Sequence, residues 1–377
     1  MYWISVRIFI YIIICAGMWY GGQFYSAREM LNTLKAPPSG AIFVDQSIAT
    51  GTHPATAYFD RYDALTHKLL SLAHLADFSD KHTGTITFPF TTITDALTNA
   101  RENNIRTVIV APGTYTESIV IPENTTLYGQ NDVIVTYDRL FEKNIIHTND
   151  HATLINMTIS GGMNGVSVPY NTYTTLLNVT ISDAEDFGVV MGQKDRPTNA
   201  ELAKQPVVYE ILNLSEEEIS QIPLLKIKNC TIKKSDKQGL YLFDGRVLIE
   251  NSRITENGEE GIDLHPHMKV TIINTESSSN LEGGIETEIY DNIITIDNSV
   301  FKDNFKSGVA FITSSGIGDI TITNSQITNN QAYGMRCAIH LKKPPRPRPF
   351  FQNMITEKNN VYEGNILSKH APECFTF

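Results

Sequence analysis

The sequence predicts an all-β fold, a right-handed parallel β-helix (solenoid) with a short N-terminal capping helix and an N-terminal hydrophobic segment. Three observations predict it. An aliphatic strand ending in Asn returns seven times, at Asn156, Asn178, Asn229, Asn251, Asn274, Asn298 and Asn324, with spacings of 22, 51, 22, 23, 24 and 26. A glycine-led short strand is locked to it, at Gly165, Gly188, Gly239, Gly261, Gly284, Gly308 and Gly334. No helical period separates the strands, so βαβ units are excluded, yet equivalent strands must run side by side in one direction. A solenoid meets both demands, and parallel crossovers are by general preference right-handed.

The chain has 377 residues, of which 41% are hydrophobic, enough for a substantial core. A formal charge of -11 excludes a phosphate-neutralising surface, so no nucleic-acid partner is expected. Four cysteines, Cys15, Cys230, Cys337 and Cys374, are too scattered to predict a disulfide framework or a zinc site.

Arg7 followed by the uncharged apolar run Ile8 to Tyr20 has the form of a charged n-region and an h-region. Residues 1–27 are therefore expected to be a signal peptide or a membrane anchor, placing the body outside the cytoplasm, secreted or held at a membrane by its N-terminus. Residues 28–91 form a lead-in, where His67, His74 and His82 read as solvated side chains. From Thr92 to Asn103, with Ala96, Leu97 and Ala100 on one face, a short amphipathic helix is expected to cap the first coil. The β-helix is assigned to 92–341. The 51-residue spacing is one coil plus an insertion, the polar stretch from Gln193 to Pro223, expected as a loop or short helix. Lys342 to Pro349 (KKPPRPRP) reads as an extended linker opening a C-terminal segment, 342–377.

Within each coil, Ile or Leu stands two residues before the Asn, and stacked Asn side chains are expected to exchange amide hydrogen bonds between coils. Asn156, Asn178 and Asn229 also form glycosylation sequons, but ladder periodicity explains them better. Alternation divides the glycine-led strand into faces. Val166/Val168, Val189/Met191, Leu240/Leu242, Ile262/Leu264, Ile285/Thr287, Val309/Phe311 and Met335/Cys337 point inward, which makes Cys337 a buried free thiol. The outward residues gather chemistry in three consecutive coils: Tyr241, Asp263, His265, Glu286 and Glu288, with Phe243 beside them and His267 just past the strand. Like charges on neighbouring strands are destabilising, so three stacked carboxylates need a cation, a proton or an arginine.

Three chemistries suit such a patch. A hard cation such as Ca²⁺, held by Asp263, Glu286 and Glu288, could neutralise a uronic acid while His265 or Tyr241 moves the C5 proton. Alternatively, two carboxylates on adjacent coils could act as the acid and base of glycoside hydrolysis. In the third reading the patch only binds a glycan, as a surface scaffold or adhesin. Asp263, His265, Tyr241 and Glu286 are the candidate catalytic residues; Phe243, Glu288, His267 and Arg336 are the candidate substrate contacts.

Pro89-Phe90-Thr91 before the helix and Ala111 to Glu117 (APGTYTE) after it resemble the right-handed β-helix, pectate-lyase-like superfamily, over roughly residues 40 to 340. That resemblance implies the fold and, as a class, lyases, hydrolases, epimerases, esterases and non-catalytic proteins. Asp263-Leu264-His265 after Gly261 is similar to the Asp-Pro-His motif of alginate C5-epimerases, with Leu264 in place of their Pro and Glu260 in place of their preceding Tyr. It implies a polysaccharide partner and lyase or epimerase chemistry. The polygalacturonase-like Gly-His-Gly signature and the later pectin methylesterase motifs are absent.

Overall fold

The asparagine that ends each aliphatic strand sets the shape of the coil. In the computed structural model, which describes residues 41–46, 89–137, 143–192, 211–313, 317–339, 351 and 354–374, all seven of these asparagines adopt a positive φ, from 47° to 56°. That left-handed conformation is tolerated by Asn because its short polar side chain bonds locally, and it bends the chain sharply. In the coils from residue 224 to residue 339, what reads in sequence as one strand is therefore two, such as Leu224–Lys228 and Thr231–Lys233. Each of these coils thus has three strands rather than the expected two, the third being the glycine-led strand, here Leu240–Leu242.

Strands stack in parallel, coil upon coil, in one 18-stranded and one 10-stranded sheet among the described residues. The glycine-led strands form the smaller sheet, with Leu240 facing Ile262, Ile262 facing Ile285, Ile285 facing Val309 and Val309 facing Met335 in register. The predicted faces are those observed: every inward residue from Val166 to Cys337 is at most 5% exposed, and together they line one continuous core. Glycine precedes these strands because adjacent coils come too close for a side chain. A Cβ on Gly261 would lie 2.1 Å from Ser277 Oγ and 2.9 Å from the Gly284 carbonyl.

The outer asparagine ladder forms with two breaks. Asn178 donates to Asn156 at 2.9 Å and Asn229 to Asn178 at 3.0 Å, but Asn251 turns to Glu250. The ladder resumes through Asn274 and Asn298, and Asn324 turns to Asp297. A second ladder is buried from Asn257 through Asn330. The side-chain oxygens of Asn280, Asn304, Asn330 and Asn365 each accept both the backbone N–H and the amide of the Asn one coil earlier, at 2.9–3.1 Å. Buried polar groups must be paired, and this ladder satisfies a whole column of turns at once.

The capping helix is α1, Ile93–Glu102, with Thr92 as N-cap and Ile93, Ala96, Leu97 and Ala100 buried on the first coil. The APGTYTE segment explains itself here: the Glu117 carboxylate accepts the Ile93 and Thr94 N–H groups, both at 2.9 Å, satisfying orphan donors of the first turn. The insertion returns as α2, Glu216–Gln221, whose N-cap Ser215 and Glu218 form a capping box. Its Ile219 and Ile222 pack with Ile211, Leu214 and Ile293 in a satellite core.

The coil stack exceeds the predicted 92–341 at both ends. Ala41–Val44 pairs with Thr107–Val110, and Ile355–Lys358 and Ser368–His370 add a last coil. This last coil corrects the reading of Cys337, which is not a free thiol but disulfide-bonded to Cys374. Folding 37 residues back onto the preceding coil brings the two together. Cys230 is the free, buried cysteine of the described region. The apolar run Ile8 to Tyr20, the three histidines of the lead-in and the basic run from Lys342 lie outside the described residues.

Candidate functional site

Register brings the candidate residues together along the solenoid axis. Tyr241 faces Asp263, Asp263 faces Glu286, Glu286 faces Ala310, and Ala310 faces Arg336. Each is held on a three- to seven-residue strand whose alternate side chains are anchored in the core, so the outward groups sit on a rigid frame.

The aromatic residues act differently from the expectation. Phe243 is buried, 7% exposed, because the His265 imidazole from the next coil stacks on it at 3.8 Å and 14°. Tyr241 meets the His265 ring edge-on at 4.9 Å, and its own face is stacked by Phe187 at 4.5 Å. Phe243 is therefore not an open platform for a sugar. With Tyr241 it clamps His265 in one orientation, and His265 Nε2 then lies 3.7 Å from Asp263 Oδ2.

Asp263 sits in an unusual field. Burial first, then the negative charges of Glu286, Glu259, Glu288 and Glu282, push its carboxyl up to about 7. It is thus divided between acid and base near neutral pH, as a proton-transfer group should be.

Glu260, 4% exposed, belongs to the same acidic surroundings and was not singled out from sequence, because it stands in the turn before the strand rather than on its outward face. Burial raises its carboxyl far above the usual range, and its hydrogen bond to Glu282 and the charges of Glu286 and Glu282 add to this. Glu282, receiving that bond and flanked by Lys306 and Arg336, stays ionised. Gln238 Nε2 donates to Glu260 at 3.2 Å. Arg336 thus reaches the patch's electrostatics through Glu282.

Of the remaining predicted residues, one reaches Asp263 through its charge and one stands apart. Glu288 is exposed and faces Ile312 across the sheet. His267, at φ 60°, turns its Nδ1 to Asp291 at 3.2 Å, away from the Asp263 column. That buried carboxylate also accepts the N–H groups of Ile211 at 2.5 Å and Leu212 at 3.0 Å. His267 therefore helps anchor the returning insertion. Among the described residues, no group of three His, Cys, Asp or Glu side chains is gathered closely enough to hold a metal ion.

Residues 216–368 match the family model of the right handed beta helix region, and residues 78–184 match that of a protein of unknown function, DUF1565. The Azotobacter vinelandii mannuronan C-5 epimerase AlgE6 A-module superposes with a TM-score of 0.54 at 13% identity, covering 74% of this chain and 74% of that chain. XylC in complex with xylose superposes with a TM-score of 0.50 at 10% identity, covering 69% of this chain and 66% of that chain. At such identities the likeness is one of fold, and the fold is the right-handed parallel β-helix. No curated protein matches the sequence.

Proposed function

We propose that this β-helix acts on polysaccharide by acid–base proton transfer at Asp263 and His265, in the manner of a lyase or C5-epimerase of uronate glycans. The observation that carries the reading is the Asp263 carboxyl, raised to about 7 and 3.7 Å from an imidazole clamped by two rings. A protonated Asp263 can donate to the carboxylate of a uronate without charge repulsion, and so drain charge from the C5 carbon as its proton leaves. His265 takes that proton: in a lyase it passes it to O4 as the C4–O4 bond breaks, and in an epimerase Tyr241, at the imidazole edge, supplies the proton that returns to the opposite face of C5. Burial first, and then the charge of Glu286 one strand over, favour the protonated form of Asp263. This assignment of roles uses no cation. Polysaccharide as substrate class is in keeping with the mannuronan epimerase named above, which shares the fold. Placement outside the cytoplasm, proposed from the Ile8 to Tyr20 segment, is supported by the Cys337–Cys374 disulfide, since such bonds persist in oxidising compartments.

A second reading, glycoside hydrolysis, is favoured by one feature. Asp263 and Glu286 are direct register partners, about 5 Å apart as adjacent-strand neighbours, which suits a protonated acid beside a carboxylate nucleophile in a retaining mechanism.

The test is to incubate the full chain with alginate, pectate and neutral glucans, with and without Ca²⁺. Unsaturated ends, or deuterium entering at C5 in heavy water, are expected from a polyuronate and should be abolished by Asp263→Asn and by His265→Ala. New reducing ends without unsaturation select hydrolysis. Retardation in a glycan gel without product would select a binding or scaffold role, and neither turnover nor binding would overturn the proposal.

A further inference from the structure

His265 stands where its strand runs out. The glycine-led strand of its coil ends at Leu264. The His265 N–H still reaches the Leu242 carbonyl at 3.0 Å, but Pro266 has no N–H to offer, and His267 turns into the left-handed region at φ 60°. Side chains of the following coil take over part of the hold. Asn292, fully buried, donates its amide to the His265 carbonyl at 2.9 Å and accepts the Tyr290 N–H at 2.8 Å. Those two bonds fix its orientation, because the carbonyl needs the amide nitrogen and the N–H needs the amide oxygen. The neighbouring Asp291, also buried, faces His267 Nδ1 at 3.2 Å. One adjacent pair, Asp291 and Asn292, thus grips the turn His265-Pro266-His267 at both ends.

The insertion holds the residue on either side of Asn292. Ile211 and Leu212 donate their N–H groups to the Asp291 carboxylate, and Ile293 packs on the satellite core of Ile211, Ile219 and Ile222. Arg246 fastens the same segment from another coil, donating to the Ile219 carbonyl at 2.8 Å. A buried carboxylate is costly without donors. Undocking the insertion would take two donors from Asp291, draw its carboxylate toward water and away from His267, and carry Asn292 with it.

We propose that Asp291 and Asn292 are positioning residues of the site, which hold the turn carrying His265 and make that hold depend on the docked insertion. Their catalytic meaning rests on the reading of His265 as the proton carrier. The orientation they secure, the imidazole stacked on Phe243 at 3.8 Å, is measurable without turnover. Sites built on second contacts of this kind lose rate when the support loosens, even though the supporting residues never touch substrate.

An NMR spectrum of the full chain labelled with ¹³C at histidine Cε1 tests this, with His265 assigned by its loss in His265→Gln. Because the ring lies face to face with Phe243, its Cε1 proton is expected upfield of those of exposed histidines. Asn292→Ala should move that signal downfield, and so should Ile219→Lys, which unseats α2 without altering the turn. Asn330→Ala, which breaks the buried ladder in another coil, should leave it in place. A signal unmoved by Asn292→Ala or by Ile219→Lys, or moved equally by Asn330→Ala, would overturn the proposal. Should either variant fail to fold, Asn292→Ser and Arg246→Ala are read in their place. On a polyuronate the same two variants are expected to lower kcat by up to about a hundredfold at unchanged KM. A wild type without turnover would remove the role given to His265, while the imidazole signal would still decide the hold.

Discussion

Asp263→Asn should make this protein more stable at pH 8 while leaving it nearly unchanged at pH 4. The Asp263 carboxyl is raised from 3.8 to about 7 on folding, so the folded state holds a proton that the unfolded chain releases. The stability linked to that proton is fully present below pH 3.8, falls by about 1.4 kcal/mol per pH unit through the window from about 4 to 7, and is lost above it. Three units correspond to roughly 4 kcal/mol. With the side chain 18% exposed, solvent screening trims the expectation to about 2–4 kcal/mol. Asn keeps the shape and cannot ionise, so it escapes this cost and also relieves Glu286, Glu259, Glu288 and Glu282 of a neighbouring charge. Urea unfolding of both proteins at pH 4 and pH 8 reads the difference directly, because other titrations are largely common to both. A gap between variant and wild type that is the same at the two pH values would contradict a raised Asp263 carboxyl.

Other outcomes follow from the frame around the site. Asn280→Ala removes the oxygen that accepts the Asn257 N–H and amide at 3.1 and 2.9 Å, and with buried groups left unpaired should cost about 2–4 kcal/mol in urea unfolding. Cys337→Ala with Cys374→Ala opens a 37-residue loop and should lower stability by at most about 4 kcal/mol; a reductant should lower the wild-type Tm likewise, and a Tm indifferent to reductant would contradict the bond. Asp291→Ala frees the Ile211 and Leu212 N–H groups and His267, so limited proteolysis should begin to cut near α2 while the coils stay intact.

The register of the glycine-led strands was legible because each position repeats in column: a residue two places from Gly is either core or surface in every coil, and Leu264 and Asp263 fall where alternation puts them. The capping helix was legible through Thr92 and its apolar face. What stayed hidden depends on contacts between coils that no single repeat encodes. Phe243 alternates outward yet is covered by a ring from the following coil, and Glu260 sits in a turn column that alternation does not describe. The last described coil was missed for a physical reason: two residues before Asn359 stands Glu357, where the repeat has Ile or Leu, its carboxylate satisfied by Tyr362 and His370 from the same coil. With that coil unseen, the partner of Cys337 was unseen too.

The proposed chemistry needs a carboxyl that keeps its proton near neutral pH. A ¹³C NMR titration of the aspartate carboxyls, with Asp263 assigned by its loss in Asp263→Asn, measures this directly. The midpoint is expected near 7, against the usual value near 4, and should rise further when a saturating uronate oligosaccharide is added, because a bound anion favours the protonated form. A midpoint near 4, unmoved by any glycan, would contradict the assignment of Asp263 as the proton-carrying group.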